Sequence, residues 1–108
     1  MKETKNLQQI SFEIILHAGN ARSSAMEALA MARKGQIEEA REKIKEADRE
    51  LNQAHHVQTD LLQQEASGEG EIPSILLIHA QDHLMNAMTV KELGTEILEL
   101  HQKQKGEK

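Results

Sequence analysis

Residues 37–61, IEEAREKIKEADRELNQAHHVQTDL, carry the clearest structural signal in the chain. Ile37, Ala40, Ile44, Ala47, Leu51, Ala54, Gln58 and Leu61 recur at alternating steps of three and four, with Gln58 the one polar member. The positions between them are mostly Glu, Lys, Arg and Gln. This is a helix with one face to a core and the rest to water, and it continues to about Ala66. Surface pairs of Glu38 and Glu42 with Arg41 and Lys45 would add only about 0.2–0.5 kcal/mol each.

The preceding segment, from about Lys5 to Arg33, has the same period in Leu7, Ile10, Ile14, Ala18, Ala21, Ala25, Ala28 and Ala32. Phe12, Ile15, Leu16, Met26 and Leu29 widen the stripe, and the alanines let a partner helix approach closely. Lys34-Gly35-Gln36 ends this helix, with cations in the last turn and a glycine able to take positive φ. Ser67-Gly-Glu-Gly-Glu71 is a polar loop. Pro73, as a first-turn residue, opens a third helix running to about Lys103.

Between Ile75 and Val90 that third helix is apolar on almost every side, through Ile75, Leu76, Leu77, Ile78, Ala80, Leu84, Met85, Ala87, Met88 and Val90. Such a helix must be covered nearly all round. Two neighbours in a three-helix chain cover only part of it, so the remainder implies self-association or a docking surface. The competing reading is a well-buried central helix of a monomer. The fold class is all-α, an antiparallel three-helix bundle with short connections, in one domain over residues 1–108.

Composition narrows the function. The formal net charge is −5, which argues against a nucleic-acid partner, because phosphate-backbone affinity comes from Lys and Arg. One Phe, with no Trp or Tyr, leaves no platform for stacking bases or sugar rings. Without cysteine there is no disulfide, thiol chemistry or Cys-zinc site. No apolar run is long enough to span a bilayer, and Met1-Lys-Glu-Thr-Lys-Asn6 leads into an amphipathic helix rather than a signal-peptide core. A cytoplasmic protein with no direct membrane insertion is expected.

Chemistry, if present, lies with His79, Asp82, His83 and Asn86, at i, i+3, i+4 and i+7 on the greasy third helix. Half-burying such groups is costly unless they are paired or used. In a metal reading, His79 and His83 chelate one ion beside Asp82, loosely like the inverted zincin motif, but catalytic zinc needs a third protein ligand. In a nucleophile reading, one neutral imidazole attacks phosphorus and forms a phosphohistidine. The rim would be Gln81, His83 and Asn86, and the docking apron Leu76, Leu77, Ile78, Leu84 and Met85. In a third reading these are structural histidines of a non-catalytic helical oligomerisation module. His17, with Asn20 and Arg22, could line the same rim. Of the adjacent His55 and His56, one should face the bundle and one water. His101 sits near a frayed end.

Two strings, Ile14-Ile-Leu-His-Ala-Gly-Asn-Ala-Arg22 and Leu77-Ile-His-Ala-Gln-Asp-His-Leu-Met85, resemble the lactose/cellobiose class of IIA components of the bacterial phosphoenolpyruvate:sugar phosphotransferase system. The resemblance spans about Ile10 to Leu100. It implies a cytoplasmic phosphotransferase component of three-helix protomers assembled as a nine-helix homotrimer. His79 would be the phosphoryl acceptor, with Gln81 and His83 supporting. Asp82 would lie at the trimer axis and share a structural divalent cation, of the Mg²⁺ type. Phosphate would come from the phosphocarrier HPr and pass to a IIB component, serving a cellobiose- or lactose-type disaccharide that enters through a membrane IIC component. The tail from Lys103 to Lys108 lies outside the match.

Overall fold

A computed structural model describes residues 6–70 and 72–106. They form three helices, α1 (Leu7–Arg33), α2 (Ile37–Ala66) and α3 (Ile75–Gln104), with no strand among the described residues. Each is some 40–45 Å long at 1.5 Å per residue, and the rod measures 54 × 25 × 20 Å.

Local chemistry sets the ends. Asn6 caps α1: its side chain accepts from the Gln9 amide at 2.8 Å, while the Gln9 side chain accepts from the Asn6 amide at 3.1 Å. This reciprocal box satisfies two otherwise orphan donors and starts the helix at Leu7. The expected start at Lys5, and the N-terminal stretch before Asn6, lie outside the described residues, as do Glu71 and the last two residues of the tail. Gly35 takes φ +82° and turns the chain into α2, and the Lys105 ammonium donates to its carbonyl. The start of α3 corrects the sequence reading. Pro73 stands just outside the helix, and Ser74 is the cap, its hydroxyl accepting from the Leu77 amide at 3.1 Å.

Small residues let the helices close on one another. The larger core cluster joins Ile14, Ala18, Ala21 and Ala25 of α1 to Ala47, Leu51 and Ala54 of α2 and Ala80, Leu84 and Ala87 of α3. A second cluster, nearer the Gly35 turn, holds Ala28, Ala32, Ala40, Ile44 and Leu98. Two ion pairs tie helices together: Lys43 to Glu27 at 3.0 Å and Lys91 to Asp48 at 2.8 Å. Such half-exposed pairs contribute roughly 0.2–1 kcal/mol each.

α1, not α3, is the central helix, lying along both of the others. The reading of α3 as a well-buried central helix therefore fails: Ile75 is 86% exposed and Ile78 60%, and Met85, Leu93 and Leu100 are also exposed. These residues share one face of α3 at steps of three, four and seven, with Asp82 and Thr89 in register between them. Phe12, Leu16 and Met26 do not widen the α1 core stripe as expected; they stand exposed on its outer side, whereas Ile15 and Leu29 are half-buried. No helix among the described residues is long and apolar enough to cross a membrane.

Candidate functional site

The polar stripe of α3 lies near its capped end, about one turn into the helix. His79 is exposed and His83 half-buried. One helical turn apart, they meet edge to face, ring centroids 4.5 Å apart, with Nε2 of His83 at 3.1 Å from Nε2 of His79. One proton serves that contact, so one ring donates and the other presents a lone pair. Ile75, Ile78, His79, Gln81, Asp82 and Met85 line a shallow groove open to solvent. A nucleophilic nitrogen, an amide and a carboxylate thus sit beside three exposed apolar side chains.

The apron differs from the sequence reading in its members. Leu84 is fully buried in the core, and Leu76 and Leu77 are half-buried. The accessible apolar surface is Ile75, Ile78 and Met85. The reason is the helix period: the face opposite the groove is the one α1 covers, and Ala80, Leu84 and Ala87 occupy it.

Gln81, half-buried at the edge of the groove, accepts a hydrogen bond from the Gln58 side chain of α2. In the sequence Gln58 shows only as the polar break in an otherwise apolar heptad pattern, with nothing in its spacing to join it to the site.

The remaining histidines fall elsewhere. His17 Nδ1 donates to Glu50 of α2 at 2.8 Å, and the Asn20 amide donates to the same oxygen at 3.2 Å. These two residues clasp α1 to α2 instead of lining the rim, and Arg22 is exposed. The hydrogen bond from His17 holds the Glu50 carboxyl below its ordinary pKa, against the opposing effect of burial. His55 and His56 are both exposed, so neither faces the bundle, contrary to expectation. His101 is in the last turn of α3, where cationic side chains suit the helix dipole.

Asp82 is exposed in the groove. Among the described residues no group of three His, Cys, Asp or Glu side chains could hold a metal ion. The three-ligand zinc site of the hydrolase reading is therefore not assembled. Nor does one protomer fit a divalent cation at Asp82, since a hard ion wants several oxygen ligands and one carboxylate supplies too few.

The comparisons with known proteins agree over nearly the full length. A family model described as the lactose/cellobiose-specific IIA subunit of the PTS system matches residues 9–102. The lichenan-specific phosphotransferase enzyme IIA component of Bacillus subtilis (strain 168) is 58% identical over 99 residues, covering 92% of this chain and 90% of that protein. The crystal structure of the PTS cellobiose-specific enzyme IIA from Bacillus anthracis superposes with a TM-score of 0.90 at 51% identity, covering 98% of this chain and 97% of that one. The IIA(chitobiose)–HPr complex of the Escherichia coli phosphotransferase system gives a TM-score of 0.82 at 38% identity, covering 95% and 100%. A close superposition and an almost end-to-end sequence match leave one assignment: the chain belongs to the lactose/cellobiose-specific IIA subunit family of the phosphotransferase system.

Proposed function

We propose that this protein relays a phosphoryl group during sugar uptake, taking it from phosphorylated HPr onto His79 and giving it to a IIB component. The observation that carries the proposal is the exposed His79 imidazole in a groove rimmed by exposed Ile75, Ile78 and Met85. A lone pair on His79 attacks phosphorus and the nitrogen–phosphorus bond forms. The bond from phosphorus to the donor breaks, and its electron pair leaves with the donor. Transfer onward runs the same exchange with a nucleophile of the IIB component, which restores the imidazole. His83 meets His79 edge to face and Gln81 lines the same groove, so their N–H groups would be the donors for the phosphoryl oxygens, where donors placed in advance stabilise developing charge. The apolar rim suits a protein donor and acceptor, and an open groove with few polar groups suits brief contacts.

The HPr partner is supported by the likeness to a IIA–HPr complex, and the sugar class by relatives named for lichenan, cellobiose and diacetylchitobiose. The membrane IIC component takes part only indirectly, and the relay works on the cytoplasmic side. We further propose a homotrimer in which three copies of the α3 face beyond the groove, through Thr89, Leu93 and Leu100, cover one another and leave the Ile75–Ile78 end open, forming the nine-helix assembly. Three Asp82 carboxylates meeting at its axis would then supply the oxygens that one protomer lacks, and would hold a cation of the Mg²⁺ type in a structural role. The relay is tested by incubation with phosphoenolpyruvate and the general phosphotransferase proteins. The protein should gain one phosphate that acid removes and base does not; a phosphate stable in acid, or none, would contradict the proposal.

A further inference from the structure

We infer that Gln58 of α2 is a positioning residue for phosphoryl transfer: its side-chain N–H occupies the Gln81 carbonyl and thereby turns the Gln81 amide N–H groups toward the groove. The inference rests on the relay proposed for His79.

Gln58 occupies a core-facing position of α2, in the series that includes Leu51 and Ala54, where an apolar residue would add to burial. An amide there needs a partner, and its partner is Gln81. The direction of the bond matters. A carboxamide has one acceptor end and one donor end, and a rotation of 180° exchanges them. With its oxygen engaged by Gln58, Gln81 keeps both N–H donors for the groove it shares with His79 and Asp82. A phosphoryl group on His79 presents only acceptor oxygens, so this orientation attracts it. The reverse orientation would place a carbonyl oxygen against those oxygens and repel them. Gln58 is not among the groove-lining residues, so it acts through Gln81 and not on the phosphoryl group itself.

Two substitutions separate this role from a packing role. Gln58→Leu removes the donor and restores an apolar heptad, so the bundle should be as stable as wild type or more so. Gln58→Glu replaces the donor by an acceptor, which draws the Gln81 N–H groups away from the groove. In single-turnover transfer from phosphorylated HPr, the maximal rate should fall several-fold in Gln58→Leu and about tenfold or more in Gln58→Glu, with the apparent KM for HPr unchanged. In a Gln81→Ala background, Gln58→Leu should have no further effect. Equal rates in all three proteins, or the same fractional loss with and without Gln81, would overturn the inference. NMR of the unphosphorylated protein gives a readout independent of the relay: the Gln81 side-chain N–H₂ signals should move downfield in Gln58→Glu and not in Gln58→Leu. Unmoved signals would also overturn it. Shifted signals in a protein whose wild type takes up no phosphate would leave the Gln58–Gln81 geometry standing and sink the relay instead.

Discussion

Glu50 gathers two donors from α1 onto one oxygen, and the consequence is a small acid-sensitive clasp. Its pKa is lowered in the folded protein, chiefly by the His17 hydrogen bond. A depressed carboxyl stabilises the fold above its unfolded pKa, and that contribution is lost as pH falls through the folded value. Glu50→Gln should therefore be less stable than wild type at neutral pH, by no more than about 1 kcal/mol for a part-exposed pair. The gap should begin to narrow as the pH drops below the ordinary value of 4.5 and close below the lowered folded value. Urea unfolding of both proteins across that range checks this, and a gap that does not change with pH would refute it. Gly94 offers a second test at a single position. It is buried in α3, and a Cβ there would meet Ile44 at 3.8 Å and Leu29 at 3.9 Å, ordinary contact distances. Gly94→Ala should stabilise the bundle by about 0.5–1 kcal/mol, because glycine in a helix interior loses more backbone freedom on folding. A lower urea midpoint would show that Ile44 of α2 and Leu29 of α1 cannot accommodate the methyl group.

α3 holds both the site and most of the unsatisfied apolar surface. Ile75 and Ile78 flank His79 and are mostly exposed, so an aspartate at either costs the protomer little core. Ile75→Asp and Ile78→Asp should each raise the apparent KM for HPr several-fold while the far-ultraviolet helical signal stays intact. An unchanged KM in both would remove the apolar rim from the docking surface. The helices themselves were legible in the sequence, because the step of three and four in residues 37–61 survives translation into structure without shift: α2 starts at Ile37 and ends at Ala66. Pro73 misled because a proline one residue before a serine cap looks the same in sequence as a proline in the first turn. Leu84 misled for another reason. In a stretch apolar on every side, periodicity no longer tells which side is the core. The polar stripe of His79, Asp82 and His83 was readable from spacing alone, whereas the Gln58–Gln81 and His17–Glu50 contacts cross between helices and depend on how two helices are rotated against each other.

The protomer is a lean bundle whose core is built mostly of alanine, and many of its larger apolar side chains, Ile75, Ile78, Leu93 and Leu100 among them, are left exposed. Exposed apolar surface of that extent suits the proposed docking and self-association. If three copies meet along the α3 face, three Asp82 side chains converge, and their repulsion needs a cation to offset it. Replacing them with leucine removes the repulsion, and apolar replacement of buried charge is often neutral or stabilising. Sedimentation should therefore show a wild-type trimer that loosens with chelator and an Asp82→Leu trimer that does not. Monomeric Asp82→Leu would show that Asp82 does not lie at the axis.

The most direct test is to map the phosphate. After incubation with phosphoenolpyruvate and the general phosphotransferase proteins, intact-mass measurement under neutral conditions should show one added phosphate on wild type and none on His79→Gln. The substitution keeps hydrogen-bonding capacity but removes the nucleophilic nitrogen. His83→Gln should still take up the group, though more slowly. Normal phosphorylation of His79→Gln, or its complete loss in His83→Gln with His79 intact, would contradict the assignment and move the acceptor to His83.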